Sequence, residues 1–300
     1  GDPAPLAGVS SADWSAAHSN HEPGRDLLRG LFRLSTYANA PEQSAGASLS
    51  NLQSALRHGV QYIDGGWQTL VDGLHQLAVA AGVTIVNDNR AVEIQHDGRV
   101  HAVRCTAAEL PCDAVVVAAG PSDLLAVCPG VTGSHARVAR EALPVRAACL
   151  DVALSKLPVP VATFALGMAV PLYLSVHYAV AHVAPAGSAG VHVAKYLAPD
   201  QEPDPRADER ELEALLDLVQ PGWREHVLDR RFLPQLLVAH AVPTAASGGL
   251  AGRPGVAVAN IDGLYVAGDW VGSEGMLVDA VIASATEATR HILGRRAAAA

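Results

Sequence analysis

The segment Gly263-Leu264-Tyr265-Val266-Ala267-Gly268-Asp269-Trp270, followed by Gly272, Gly275-Met276 and an apolar-periodic run over 277–293, constrains the fold of this 300-residue chain more than any other. Residues 264–267 are short, apolar and β-prone, and predict a buried strand. Gly268 omits a side chain where backbone approaches closely. Asp269 follows at the strand's carboxyl end, where open α/β sheets place their ligands, and can accept from ribityl or ribose hydroxyls. Gly272 and Gly275 keep the turn open. A helix beginning near Met276 is expected to bury Val278, Val281, Ile282, Ala285 and Ile292 along one face. Its first-turn N–H groups and positive dipole end suit an anion. Strand, glycine turn with one carboxylate, and returning helix have the shape of a dinucleotide site. The opening half of such a site, a strand followed by G-x-G-x-x-G, does not occur in the 300 residues.

Upstream, residues 1–24 lack periodicity and read as a loop. Short amphipathic helices are expected over 26–34 and 48–58, the second closed by Gly59. Gly65 and Gly66 shape a turn into a helix over 67–81, with Leu70, Leu74, Leu77, Ala78 and Ala81 as its core face and Gly82 as its end. Residues 83–86 read as a buried strand. Residues 91–96 and 99–105 alternate around Asp97-Gly98, a hairpin signal. Residues 113–120 read as a fully buried strand of a parallel sheet. Further strands are expected over 146–154, 172–183, 190–196 and 236–242, and an acidic amphipathic helix over 207–219. The order implies an α/β fold in which an incomplete Rossmann-like domain is interleaved with a mixed-sheet and helical α+β domain. Its expected segments are 1–57 (helical part of the second domain), 58–125 (nucleotide domain), 126–254 (second domain) and 255–300 (nucleotide domain again).

Charge narrows the partners. The formal net charge is −9 and lysine occurs only at Lys156 and Lys195, so no basic stretch exists to neutralise nucleic-acid phosphates. Half of the residues are hydrophobic and only 17% are charged, against about 25% in an ordinary globular chain. That balance requires an extensive interior or surface that something else covers. The longest uncharged run, 157–194, is interrupted by Pro158, Pro160, Pro171 and Pro185 and contains His177, His182 and His192, which opposes a spanning helix. It leaves room for an apolar substrate or for peripheral membrane contact. Cys105, Cys112, Cys128 and Cys149 fit neither a C-x-x-C pair nor a zinc knuckle and are expected as free thiols. With no apolar leader in the first 30 residues, they point to the cytoplasm. His18 and His21 form an H-x-x-H in a loop with no third ligand nearby, so no metal site is expected. Tyr173 and His177, four apart on an expected strand, share one side and are candidates to line a substrate cavity.

The stretch "GLYVAGDWVGSEGMLVDAVIASATEA" over 263–288 resembles the C-terminal FAD-binding motif of the phytoene desaturase and amine oxidase-like flavoprotein superfamily. "YIDGGWQTLVDGLHQLAVAAGVTIVNDNRAVEI" is similar to that superfamily's glycine-pair helix and following strands, and "CDAVVVAAGP" to the strand closing its nucleotide domain. The resemblance implies FAD as cofactor. The Val92 backbone would hold the adenine end. Gly268 and Asp269 would meet the ribityl or pyrophosphate region. Gly275, Met276 and Leu277 would set helix N–H groups against the isoalloxazine, where charge develops on reduction.

It also implies a βαβ unit that is absent here, and hence a truncated chain. The expected activity is removal of hydride from an apolar, isoprenoid-like substrate, with catalysis resting on placement of the C–H bond, so no acid–base catalytic residue is singled out. The alternatives are an amine or amino-acid oxidase on the same fold, for which neither Lys156 nor Lys195 stands in a matching context, and a non-catalytic remnant or interaction subunit.

Overall fold

In strand β5 (Val145–Leu154), Ala148, Leu150, Val152 and Leu154 are buried, while Cys149, Asp151 and Ala153 between them are half-buried. This period of two makes β5 the spine of a five-stranded antiparallel sheet. The computed structural model of the chain describes residues 2–177 and 181–299. Its β6 (Phe164–Leu166), β7 (Leu172–Val176), β8 (Ala189–Leu197) and β9 (Val227–Ala239) join β5 in the order β6-β7-β8-β5-β9. Helix α7 (Pro205–Val219) lays Leu212 and Leu216 on the even-numbered face of β5, forming a core with Leu174, Val191, Val193 and Trp223. Each fully buried leucine there contributes roughly 1.5–3 kcal/mol. Lys195 also points to this side, where its ammonium is 2.8 Å from both Asp208 and Glu211.

A second core joins distant parts of the chain. Strand β10 (Leu264–Val266) runs parallel to β4 (Val115–Val117), pairing Leu264 with Val115 and Val266 with Val117. Around them pack Leu124 of α5 (Pro121–Val127), Ala136 of α6 (Gly133–Glu141), Val256, Ile261, Trp270, and Ala288 of α8 (Val278–Ala299). Beside this pair lies an antiparallel sheet of β1 (Ala91–His96), β2 (Val100–Cys105) and β3 (Glu109–Pro111). The remaining helices are α1 (Ser11–His18), α2 (Glu22–Thr36), α3 (Ala45–His58) and α4 (Gln68–Ala80). The observed α/β fold agrees with the sequence reading.

Several expectations are corrected. The N-terminal stretch is not a loop: Ser10 caps α1 by accepting from the Asp13 N–H, and α2 extends beyond 26–34 on both sides. Residues 83–86 form no strand, and Val83, Ile85 and Val86 are exposed, because no neighbouring strand offers them a ladder. The expected core face of α4 is bare, with Leu74 67% and Leu77 69% exposed. Strand β4 is paired on one side only, leaving Val116 exposed. In α8 the buried stripe is Ala280, Ser284 and Ala288, while Val278, Val281 and Ile282 are exposed. These surfaces carry the period of a buried element without a neighbour to bury them.

The strand expected over 172–183 is observed over 172–176, and residues 178–180 lie outside the described residues. The strand expected over 236–242 is the end of β9, whose Pro234 falls where the register to β5 shifts, a bulge that tolerates a missing N–H. All four cysteines are free, with Cys128 buried and the others half-buried. No helix among the described residues is long and apolar enough to cross a membrane.

Candidate functional site

Strand β10 is apolar and buried on every residue, as a strand covered on both faces must be. It delivers Gly268 and Asp269 to the same end at which β4 delivers Ala119 and Gly120. The indole N–H of Trp270 donates to Ala119 O at 3.0 Å and so ties the two strand ends together. That indole also explains Gly268: a Cβ there would lie 2.8 Å from Trp270 Nε1. The close approach expected at Gly268 is thus made by the chain itself. Ser284, on the buried stripe of α8, accepts the Gly268 N–H at 3.0 Å and fixes the helix against the turn.

Asp269 is 8% exposed, and each of its carboxylate oxygens has one partner. The backbone N–H of His240 donates to its Oδ2 at 2.6 Å, and His240 Nδ1 lies 2.7 Å from its Oδ1. His240 directly follows the last residue of β9, so the five-stranded sheet ends on the carboxylate of the parallel pair. The imidazole also accounts for Gly120, where a Cβ would meet His240 Cδ2 at 2.6 Å. Sequence reasoning missed His240. Its signal is a polar residue ending the apolar run Leu236-Leu237-Val238-Ala239.

A buried cation completes the group. Arg253 donates from Nη1 to Gly275 O at 2.9 Å, and its Nε–H, though buried, has no partner among the described residues. Burial pushes the guanidinium pKa down to about 10, opposed by the charge of Asp269. Arg253 was also missed; it lies in a glycine-rich stretch, 248–254, that carries no periodic pattern. Gly275 takes φ +67°, and a Cβ there would stand 2.7 Å from Asp279 Cβ. Leu277 takes φ +54°, a left-handed backbone that costs a side-chain-bearing residue on the order of 1 kcal/mol. The helix starts two residues later than expected, at Val278, and its first turn holds Asp279, whose carboxylate itself favours the positive helix end.

The structure therefore brings Gly268, Asp269, Gly275, Met276 and Leu277 together with His240 and Arg253. Asp269, Arg253, Met276 and Leu277 line one small void of about 10 Å³, less than a water needs with its partners. On the other side of Arg253 and Trp270, a cavity of about 360 Å³ is lined by Arg137, Leu143, Val242 and Thr244. Val92 stands apart, 39% exposed on β1. Tyr173 and His177 lie towards the face of the five-stranded sheet away from α7. Tyr173 packs against Phe164 (5.7 Å) and Tyr196 (6.3 Å), and His177 stacks at 5.4 Å on His192, whose Nδ1 lies 2.8 Å from Asp151 Oδ1. Tyr62 approaches His177 at 4.4 Å from the loop before α4. His18, from the H-x-x-H pair, is engaged by Trp14 O, and no group of three metal-ligating side chains occurs among the described residues.

Comparison with known proteins follows the same lines. Residues 15–286 match the family described as DAO, FAD dependent oxidoreductase. No curated protein matches the chain. Among solved structures, an oxidoreductase from Methanosarcina mazei superposes with a TM-score of 0.76 at 17% identity, covering 94% of this chain and 68% of that one. Cyclohexylamine oxidase from Brevibacterium oxydans IH-35A gives 0.63 at 14% identity, covering 97% of this chain and 69% of that one. Reduced UDP-galactopyranose mutase gives 0.64 at 10% identity, covering 95% and 71%. At these identities the likeness is one of fold.

Proposed function

We propose, for a chain that belongs to the FAD-dependent oxidoreductase family, that its own residues hold the flavin end of FAD at the Gly268-Asp269 turn and present a substrate from the open face of the five-stranded sheet. The observation that carries this reading is the convergence of Asp269, His240 and Arg253 at the carboxyl ends of β4 and β10, where α/β folds bind ligands. The donor set suits the group's chemistry, and the void of about 10 Å³ between these residues must widen to admit it. Arg253 is a buried cation with an unfilled N–H donor, Asp269 offers lone pairs to ribityl hydroxyls, and Gly275, Met276 and Leu277 bring the start of α8 beside both. When bound, FAD supplies the acceptor for a hydride leaving a substrate carbon. His240 keeps the Asp269 carboxylate oriented, and Arg253 supplies countercharge to the anionic part of the cofactor. The role of Val92 at the adenine end rests on resemblance alone. We assign residues 58–125 and 255–300 to the cofactor domain and 1–57 and 126–254 to the substrate domain.

For the substrate, the face away from α7 offers the rings of Tyr37, Tyr173 and Phe164, gathered about the buried Tyr196, which suit an apolar, isoprenoid-like body. The amine oxidase reading has support in the fold shared with cyclohexylamine oxidase. Against it, Lys195 is turned to α7 and held by two carboxylates, and Lys156 is exposed, so neither serves as a lysine at the flavin. The exposed apolar surfaces of β4, α4 and residues 83–86 support a further proposal, that a strand–helix unit carrying the adenine-side contacts covers them in the working enzyme.

Anaerobic mixing of flavin-loaded protein with candidate substrates tests the reading. Bleaching of the flavin's visible absorbance by an isoprenoid, but not by primary amines, is expected. Bleaching by amines alone transfers the site to amine oxidation, and a folded protein that takes up no flavin marks the chain as a non-catalytic remnant.

A further inference from the structure

Both nitrogens that His240 turns towards Asp269 are donors: its backbone N–H to Oδ2 at 2.6 Å, and Nδ1, 2.7 Å from Oδ1. An ionised carboxylate only accepts, so Nδ1 carries the proton of the neutral ring and Nε2 carries the lone pair. The side chain is 36% exposed. Nε2 has no hydrogen-bond partner among the described residues and, unlike Arg253 Nε, is not sealed from solvent. Its place is fixed by the backbone beneath it. A Cβ at Gly120 would stand 2.6 Å from His240 Cδ2 and 3.0 Å from Nε2, so the ring lies over the residue that β4 delivers to the site. Ala239 and Ala241 line the small void beside Asp269 and His240 does not, so Nε2 addresses the surface on the other side of the carboxylate. The other charged groups there are engaged: Asp123 accepts the Gly120 N–H at 3.1 Å, and Arg253 donates to Gly275 O.

We propose that Nε2 of His240 is an acceptor for a hydroxyl on the polyol chain of a bound flavin, which the turn then recognises through the imidazole as well as through Asp269. The inference rests on the flavin reading given above. The tautomer selects the ligand chemistry. A neutral Nε2 accepts from a hydroxyl and has no proton to give a phosphate oxygen, which offers only lone pairs. Because Asp269 fixes the tautomer and the ring orientation before any ligand arrives, the acceptor is pre-organised.

The test compares riboflavin with lumiflavin, which has the same ring system without the ribityl hydroxyls, by fluorescence titration at mildly alkaline pH. Wild type should bind riboflavin about fivefold or more tighter. H240N sets an amide N–H where Nδ1–H stood, so Asp269 keeps a donor, but it has no acceptor at the position of Nε2 and should bring the ratio close to one. G120A is a second variant, since the glycine's φ of −67° and ψ of 161° suit any residue. Its Cβ displaces the ring, so it should lower the ratio in the wild-type background and not in H240N. A ratio near one in wild type, or one unchanged in H240N, overturns the proposal and leaves flavin binding standing. FMN bound more tightly than riboflavin by wild type but not by H240N makes Nε2 a phosphate donor and overturns it too. Saturable binding of no flavin overturns the reading on which the proposal rests, and the proposal with it.

Discussion

His240 Nδ1 lies 2.7 Å from Asp269 Oδ1, and the backbone N–H of the same histidine donates to the other carboxylate oxygen at 2.6 Å. One residue at the end of a 13-residue strand thus holds both oxygens of the carboxylate that closes β10. The contact links the five-stranded sheet to the turn that carries Gly268 and Asp269. A carboxylate so held is pre-oriented, which spares a ligand the cost of ordering it.

Replacing His240 by Ala removes the imidazole and keeps the backbone bond. Hydrogen bonds to charged groups contribute roughly 1.5–3 kcal/mol, so H240A should lose about 1–2 kcal/mol in urea denaturation. An unchanged midpoint and slope would show that the pair contributes nothing to the junction.

Arg253 is predicted to act on the cofactor's negative charge. R253M should retain FAD about tenfold more weakly and lower the midpoint potential of whatever flavin remains, since a nearby cation favours the reduced, anionic form. Spectroelectrochemical titration reads this directly, and a potential equal to wild type removes Arg253 from the site.

Acid should destabilise the fold through His135. Burial holds its pKa below the ordinary value of about 6.5, although Gly255 O accepts from the ring at 2.8 Å. The unfolded chain therefore binds a proton that the folded chain resists. Stability is complete above the unfolded pKa and falls as pH drops from there towards the lower folded pKa. Urea midpoints at neutral and mildly acid pH should separate for wild type and separate less for H135Q. Equal separation assigns the acid sensitivity elsewhere.

The bare face of α4 makes a prediction of the opposite kind. Leu74 and Leu77 are mostly exposed, so L74E/L77E should change the stability of this chain by no more than about 0.5 kcal/mol. The double variant should also be more soluble, because an apolar patch is removed. A loss of several kcal/mol would mean that the face is packed.

Much of this was legible from local pattern. The strands expected over 146–154 and 264–267 and the Asp97-Gly98 hairpin needed no distant partner to declare themselves. Gly268, Asp269, Gly275, Met276 and Leu277 could be read as one group because they lie close together in sequence. His240 and Arg253 are brought to Asp269 by β9 and by a glycine-rich loop, and no spacing in the sequence encodes that meeting. The apolar residues of α4, of 83–86 and of the exposed side of α8 were assigned to a core because hydrophobic period reports which side wants burial. It does not report whether a neighbour is present to provide it. Gly268 was expected to allow a close approach, and it, like Gly120, makes room for a ring of the chain itself, Trp270 and His240 respectively.

The most direct measurement is FAD affinity by equilibrium dialysis for wild type and D269A, with the fold of both checked by circular dichroism. Saturable binding by wild type, weakened about tenfold or more in a folded D269A protein, is the expected result. Equal affinity in the two folded proteins contradicts the role assigned to the carboxylate that His240 holds in place.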